Sequence, residues 1–225
     1  MNEKFFSLPE EKQQAIIRAG YRVFSQNSYK NSPMSEIAGC ARISKSLLFH
    51  YFHNKKELYL FLWEHCAQTT IDFLAKLDCY GQHSLFEAME RGMRAKMALI
   101  RLYPDMAAFT IKAFYETDPT IRAAVQQSYH KHFHFKADKA RLNFDPAQFV
   151  PGLDIPMMYQ EMYWATEGYL WEMVQRGPLD MGRMEKDFTR LMEFWRSVYL
   201  RKEETDGNHQ GSTTDKTLRE SPGDH

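Results

Sequence analysis

Apolar residues recur along this chain at spacings of three and four, and no stretch of strict alternation or Val/Ile-rich strand interrupts them, so the pattern predicts an all-α protein of about nine helices. Pro9 with Glu10 and Glu11 opens the first, which carries Ile16, Ala19, Val23 and Phe24 on one stripe and acids at the positive end of its dipole. After a polar break at Asn27 to Asn31, Ser32 is expected to cap a short helix with Pro33 at its first position; Met34, Ile37, Ala38 and Ala41 follow at i, i+3, i+4 and i+7. Ser44 caps a third short helix, with Ile43 placed to staple onto Leu48. Asn54 and Glu57 start a long helix reaching about Leu77, and Ser84 with Glu87 forms a capping box for a helix that stops before Pro104. Asp118-Pro119 is expected to begin a helix running to about Leu142, and Asn143 to Asp154 reads as a loop from its Pro146, Pro151 and Gly152. Helices from about Pro156 to Arg176 and from about Asp180 to Arg201 complete the set.

Two short capped helices joined by a tight turn and braced by a longer one are the layout of a helix-turn-helix. The expected organisation is a three-helix domain over residues 1–56, a second helical domain over 57–202, and a disordered tail over 203–225. In that tail Leu218 is the single aliphatic or aromatic residue, too little to offset an ordering entropy of about 1 to 2 kcal/mol per residue. Composition is that of a soluble globular chain, and the formal net charge is zero. That neutrality is an average: residues 1–62 hold nine Lys+Arg against five Asp+Glu, or +4. The start has no apolar core of signal-peptide length and the run at Leu58 to Trp63 is too short to span a bilayer, so a cytoplasmic protein with no membrane partner is expected. Cys40, Cys66 and Cys79 lack metal or redox spacing and read as small core residues.

The third helix has a second face that does not look like core: Lys45, Ser46, Phe49, His50 and His53. Small and basic side chains at a helix start can reach base edges and phosphates, and Tyr51 and Lys55 flank the helix where a backbone would pass. The run Ser32 to Leu58 resembles the signature of the tetracycline-repressor (TetR) family of bacterial transcriptional regulators. Ile37-Ala38, Ala41, Ile43-Ser44-Lys45, Leu48, Tyr51-Phe52, Lys55 and Glu57-Leu58 fall in the family's order without a gap, and the resemblance covers roughly residues 9 to 62. It implies that Ser32, Pro33, Ser44, Lys45, Ser46, Phe49, His50, Tyr51 and Lys55 occupy DNA-contacting positions. Arg42 stands where the family usually has the glycine of the turn; a left-handed backbone there costs a non-glycine residue roughly 1 to 2 kcal/mol, which a phosphate contact by Arg42 would offset. Phe49 stands where a tyrosine is common, which leaves it stacking on a sugar or a thymine methyl.

Two recognition helices reaching successive major grooves about 34 Å apart call for a homodimer. Met162, Tyr169 and Met173 on the penultimate helix and Phe188, Leu191 and Trp195 on the last are the candidate interface. Met93, Met97, Tyr103, Phe109, Phe114, Tyr163, Trp164, Glu167 and Trp171 are the candidate ligand site, because Met and aromatic surfaces adapt to varied ligands and aromatic faces attract cations, although a core explains the same stripe. Of His130, His132 and His134 only the outer two share a helix face, with no matching acid or cysteine pattern, so no metal or other cofactor is expected. No G-x-S-x-G, H-E-x-x-H or phosphate-binding glycine loop argues for an enzyme. The expected function is a ligand-responsive repressor that binds double-stranded operator DNA as a dimer and is released by a small hydrophobic or cationic effector. The alternative is an all-α interaction module or adaptor that does not bind DNA.

Overall fold

A computed structural model describes residues 3–77, 79, 84–131, 145–177 and 179–202. They form ten α-helices: α1 Glu3–Phe6, α2 Glu10–Gln26, α3 Met34–Cys40, α4 Lys45–Tyr51, α5 Lys55–Lys76, α6 Leu85–Leu102, α7 Pro104–Phe114, α8 Arg122–Tyr129, α9 Ile155–Gln175 and α10 Met181–Tyr199. A 3-10 turn spans Pro146–Gln148, and one antiparallel bridge joins Phe149 to Leu200. The fold is all-α as expected. The expected tail, the end of the helix projected to Leu142, residues 143–144 of the expected loop, and His132 and His134 lie outside the described residues.

Capping chemistry sets most helix starts. The Ser44 hydroxyl accepts the Leu47 N–H at 3.1 Å, the Asn54 side-chain Oδ1 accepts that of Glu57 at 2.9 Å, and Ser84 with Glu87 makes both bonds of a capping box. Asp154 and Asp180 cap α9 and α10 in the same way. Three starts differ from expectation. Pro33, with extended backbone, is itself the N-cap of α3, while the Ser32 hydroxyl turns inward and donates to the Ser28 carbonyl at 2.9 Å. Asp118 organises a turn in which its carbonyl accepts the N–H groups of Ile121 and Arg122, so α8 begins only at Arg122. Pro104 ends α6 and also opens α7, since a first helical position needs no N–H. The four-residue α1, too short for a periodic signal, is held by Phe5, whose buried ring packs on Phe52 and Phe61 at centroid distances of 5.0 and 5.1 Å.

One contiguous core runs from α1–α4 through Leu58, Tyr59, Leu62 and Trp63 of α5 to Met106 and Phe109 of α7, Ile121 just before α8 and Val125 within it. The first half of α5 therefore packs with the N-terminal helices, and this long helix belongs to both halves of the chain. Gly20 permits the close approach of α2 to α5: a Cβ there would sit 2.5 Å from Leu62 Cδ1. Two larger clusters fill the C-terminal bundle, one around Phe86, Met158, Met162, Met192 and Trp195, the other around Met97, Met173, Met184 and Phe188, and a small one joins Leu74, Cys79 and Ala95. Helices α9 and α10 run antiparallel, with Tyr169 donating to Asp187 at 3.0 Å and Tyr199 to Glu161 at 3.2 Å. No helix among the described residues is long and apolar enough to cross a membrane, and no group of three His, Cys, Asp or Glu side chains among them converges on a metal-sized site.

Candidate nucleic-acid interface and its link to the C-terminal domain

Helix α3 ends in a six-residue turn with two tell-tale bonds: the Arg42 N–H reaches the Gly39 carbonyl at 3.1 Å and the Ile43 N–H the Ala38 carbonyl at 3.0 Å. This closure puts Arg42 at φ 55°, the single non-glycine residue of positive φ among the described residues. The turn swings α4 so that Leu48 and Tyr51 enter the core while Pro33, Arg42, Ser44, Lys45, Ser46, Phe49 and His50 stay exposed. The Lys45 ammonium lies 5.9 Å from the Phe49 ring centroid, and the Ser44 and Ser46 hydroxyls are 3.0 Å apart. These side chains form a small polar surface at the start of α4, with aromatic groups one turn further on.

Three residues from the expected contact set are occupied elsewhere. Ser32 is fully buried with its hydroxyl satisfied, and Tyr51 is buried edge-on against Phe5 at 6.4 Å. Lys55 donates to the Lys30 carbonyl at 3.0 Å and sits 4.7 Å from the Tyr29 ring centroid, so it clasps the α2–α3 loop. Burial lowers its pKa, and the Asp118 carboxylate partly reverses this. His53 pairs with Glu57 at 2.8 Å, and Glu57 also accepts the His53 backbone N–H. Burial alone would raise the Glu57 pKa; the bonds from His53 bring it below the ordinary carboxylate value. Of the cysteines, Cys66 and Cys79 are buried as expected, but Cys40 is exposed where α3 ends. Burial pushes the Cys66 thiol up to about 12.

The two halves of the chain are fastened by specific polar contacts as well as by the shared core. Glu116, just past α7, accepts the Tyr29 N–H of the α2–α3 loop at 2.8 Å, and its other oxygen accepts from Thr117 and Asp118. On α2, the Tyr21 hydroxyl donates to the Leu62 carbonyl at 3.1 Å and lies 2.8 Å from His65 Nδ1, so a neutral imidazole with its proton on Nδ1 donates to it. Burial lowers the His65 pKa, consistent with that neutral form.

The candidate ligand residues divide. Phe114, Tyr163, Glu167 and Trp171 come together, joined by Tyr115 and Tyr129, which the hydrophobic pattern did not single out. Ring centroids lie 4.4 Å apart for Tyr115 and Trp171 and 4.6 Å for Phe114 and Tyr129, and the Tyr129 and Tyr163 hydroxyls are 2.5 Å apart. Tyr129 follows the buried Val125 at i+4, a spacing that marks it in retrospect; Tyr115 lies past the end of α7, where no period applies. The others go elsewhere. Met93 and Met97 belong to the bundle cluster with Met173 and Phe188, and Phe109 is fully buried against Tyr21, Phe24 and Tyr59. Tyr103 and Trp164, 49% and 60% exposed, face outward.

The expected interface residues also turn inward. Met162, Met173, Phe188 and Trp195 are buried in the core of the chain itself, with Tyr169 and Leu191 packed against it, because α6 covers that side of α9 and α10. The exposed apolar groups of these helices are Met157, Trp164, Phe194 and Val198.

The described residues thus form a helix-turn-helix seated on an all-helical C-terminal bundle through one shared long helix. Residues 16–61 match the family of bacterial regulatory proteins described as the tetR family. The transcriptional regulator AcuR of Cereibacter sphaeroides is 32% identical over 94 residues, which span 42% of this chain and 38% of AcuR. A TetR family transcriptional regulator from Chloroflexus aurantiacus J-10-FL superposes with a TM-score of 0.67 at 18% identity, covering 89% of this chain and 99% of its own. SmeT, the repressor of the Stenotrophomonas maltophilia multidrug efflux pump SmeDEF, gives 0.62 at 16% identity over 93% of this chain and 100% of its own. Residues 16–61 thus carry the tetR-family signature, and the described residues share the all-helical fold of these two solved regulators.

Proposed function

We propose that this protein is a cytoplasmic transcriptional repressor that binds double-stranded operator DNA as a homodimer and releases it when a small hydrophobic or cationic molecule occupies the C-terminal domain. The observation that carries the reading is the two-sided α4: Leu48 and Tyr51 anchor it, while Lys45, Ser46, Phe49 and His50 are left exposed on the basic N-terminal part of the chain. Arg42 and Lys45 suit phosphates, and Ser46 and His50 suit base edges. The regulatory roles that AcuR and SmeT carry in their names support the same reading. A second copy would bury the exposed Met157 and Trp164 of α9, seven residues apart on one stripe, with Phe194 and Val198 of α10.

Effector control follows from where the aromatic cluster lies. Its members Phe114 and Tyr115 directly precede Glu116, whose carboxylate holds the Tyr29 N–H, so a ligand that shifts the end of α7 pulls on the loop before α3. A coupling of about 1 to 3 kcal/mol suffices for a 5- to 150-fold change in DNA affinity. Fluorescence anisotropy of the full chain with a duplex taken from upstream of its own gene, titrated with salt, tests the reading. Affinity falling steeply with salt supports it. Binding indifferent to salt, or no DNA retention alongside a stable protein partner, points to an interaction module.

A further inference from the structure

We propose that the effector is an organic cation, a charged nitrogen on an apolar body, and that Glu167 selects it through the aromatic groups around its carboxylate; this rests on the effector-domain reading above. On α9, Glu167 lies one turn from Tyr163 on one side and from Trp171 on the other. Facing them are Phe114 and Tyr115 at the end of α7 and Tyr129 of α8, tied to α9 by the Tyr115–Trp171 stack and the Tyr129–Tyr163 hydrogen bond. The Glu167 charge contributes to the upward pKa shifts of Tyr115, Tyr129 and Tyr163, each raised first by burial, so the carboxylate sits near all three phenols.

Those phenols do not neutralise it. The Tyr129 and Tyr163 hydroxyls bond to each other, and among the described residues Glu167 has no hydrogen-bond or ion-pair partner. Burial raises its own pKa, and the Lys96 charge, on an exposed side chain, opposes this. A partly desolvated carboxylate set among aromatic rings presents negative potential, to which each ring face turned toward a ligand adds. An anionic ligand would be repelled there, and a neutral one would deepen the burial of an unpaired charge. A cation removes that charge imbalance and gains from the ring faces at the same time.

The test is calorimetric titration of the full chain with benzyltrimethylammonium, with its uncharged isostere neopentylbenzene, and with phenylacetate. The cation is expected to bind at least about 10-fold tighter than the isostere, with phenylacetate weakest. Glu167→Gln is expected to lose that preference by lowering cation affinity about 10-fold while leaving the isostere unchanged. The variant removes a strained charge and should fold; the ranking of the three probes on the unmodified protein stands regardless of it. Equal binding of cation and isostere, tighter binding of phenylacetate, binding of none, or a preference that survives Glu167→Gln overturns the proposal. Operator binding measured on the same ligand-free sample separates the two readings. DNA retention without cation preference refutes the cation site alone, whereas cation preference without DNA retention refutes the repressor reading and leaves the site.

Discussion

Arg42→Gly tests how the helix-turn-helix is built. Arg42 is the residue after the cap of α3, in the left-handed region at φ 55°, where the two closing bonds of the turn require it to be. A side chain there costs about 1 to 2 kcal/mol, whereas glycine costs about 0.5 to 1 kcal/mol through the entropy of the unfolded chain. The difference leaves glycine more stable by about 0.5 to 1 kcal/mol, a rise in melting temperature of roughly 1 to 4 °C for a chain of this size. Arg42→Ala is the control, because it keeps the left-handed strain and discards the guanidinium. Thermal unfolding followed by circular dichroism should rank Gly above Ala by that margin. The same two variants address the exposed side chain: if it meets a phosphate, each lowers the slope of log K against log salt by about 0.9. Glycine no more stable than alanine would refute the strain argument, and unchanged slopes would remove Arg42 from the DNA surface.

Glu116→Ala leaves the Tyr29 N–H without its acceptor and should cost about 1 to 3 kcal/mol in denaturant unfolding while weakening the effector's influence on DNA affinity; full retention of that influence would exclude Glu116 as the link. His65 gives a pH dependence of known sign. Its folded pKa is depressed by burial, so the unfolded chain takes up the proton first and stability falls as pH drops through the ordinary value of about 6.5. His65→Gln should flatten the melting temperature over pH 7 to about 5.5, and an unaltered profile would assign the acid loss to other groups. Glu167, raised by burial, works in the opposite sense: its penalty is absent below the ordinary carboxylate range and grows as pH rises through it, so Glu167→Gln should stabilise the protein at neutral pH and lose that advantage in acid.

The cap residues Ser44, Asn54 and Ser84 and the periodic stripes were legible in the sequence because each acts within a few residues of itself. Side-chain direction was less so. Tyr51 is a plausible phosphate contact by type, but it lies three residues after the buried Leu48, which turns it into the core behind Phe5. Ser32 looks like a cap until the preceding turn offers its hydroxyl the Ser28 carbonyl. A division at residue 56 falls where the fourth expected helix begins, yet Leu58 and Leu62 complete the N-terminal core, so the long helix couples the two halves. Among the Met and aromatic residues of the C-terminal part, pattern alone does not separate those that fill a bundle, such as Met97 and Phe188, from those gathered around Glu167. That separation depends on which helices meet, and the helices that meet are α7, α8 and α9.

The central claim, that the exposed face of α4 reads DNA, is tested most directly by comparing the unmodified protein with a Lys45→Ala/His50→Ala variant in anisotropy titrations against the upstream duplex. Both side chains are exposed, so the variant should keep the melting temperature of the parent. Operator affinity is expected to fall by at least about 10-fold, with the salt slope smaller by about one phosphate contact. Unchanged affinity and slope at unchanged stability would contradict that claim.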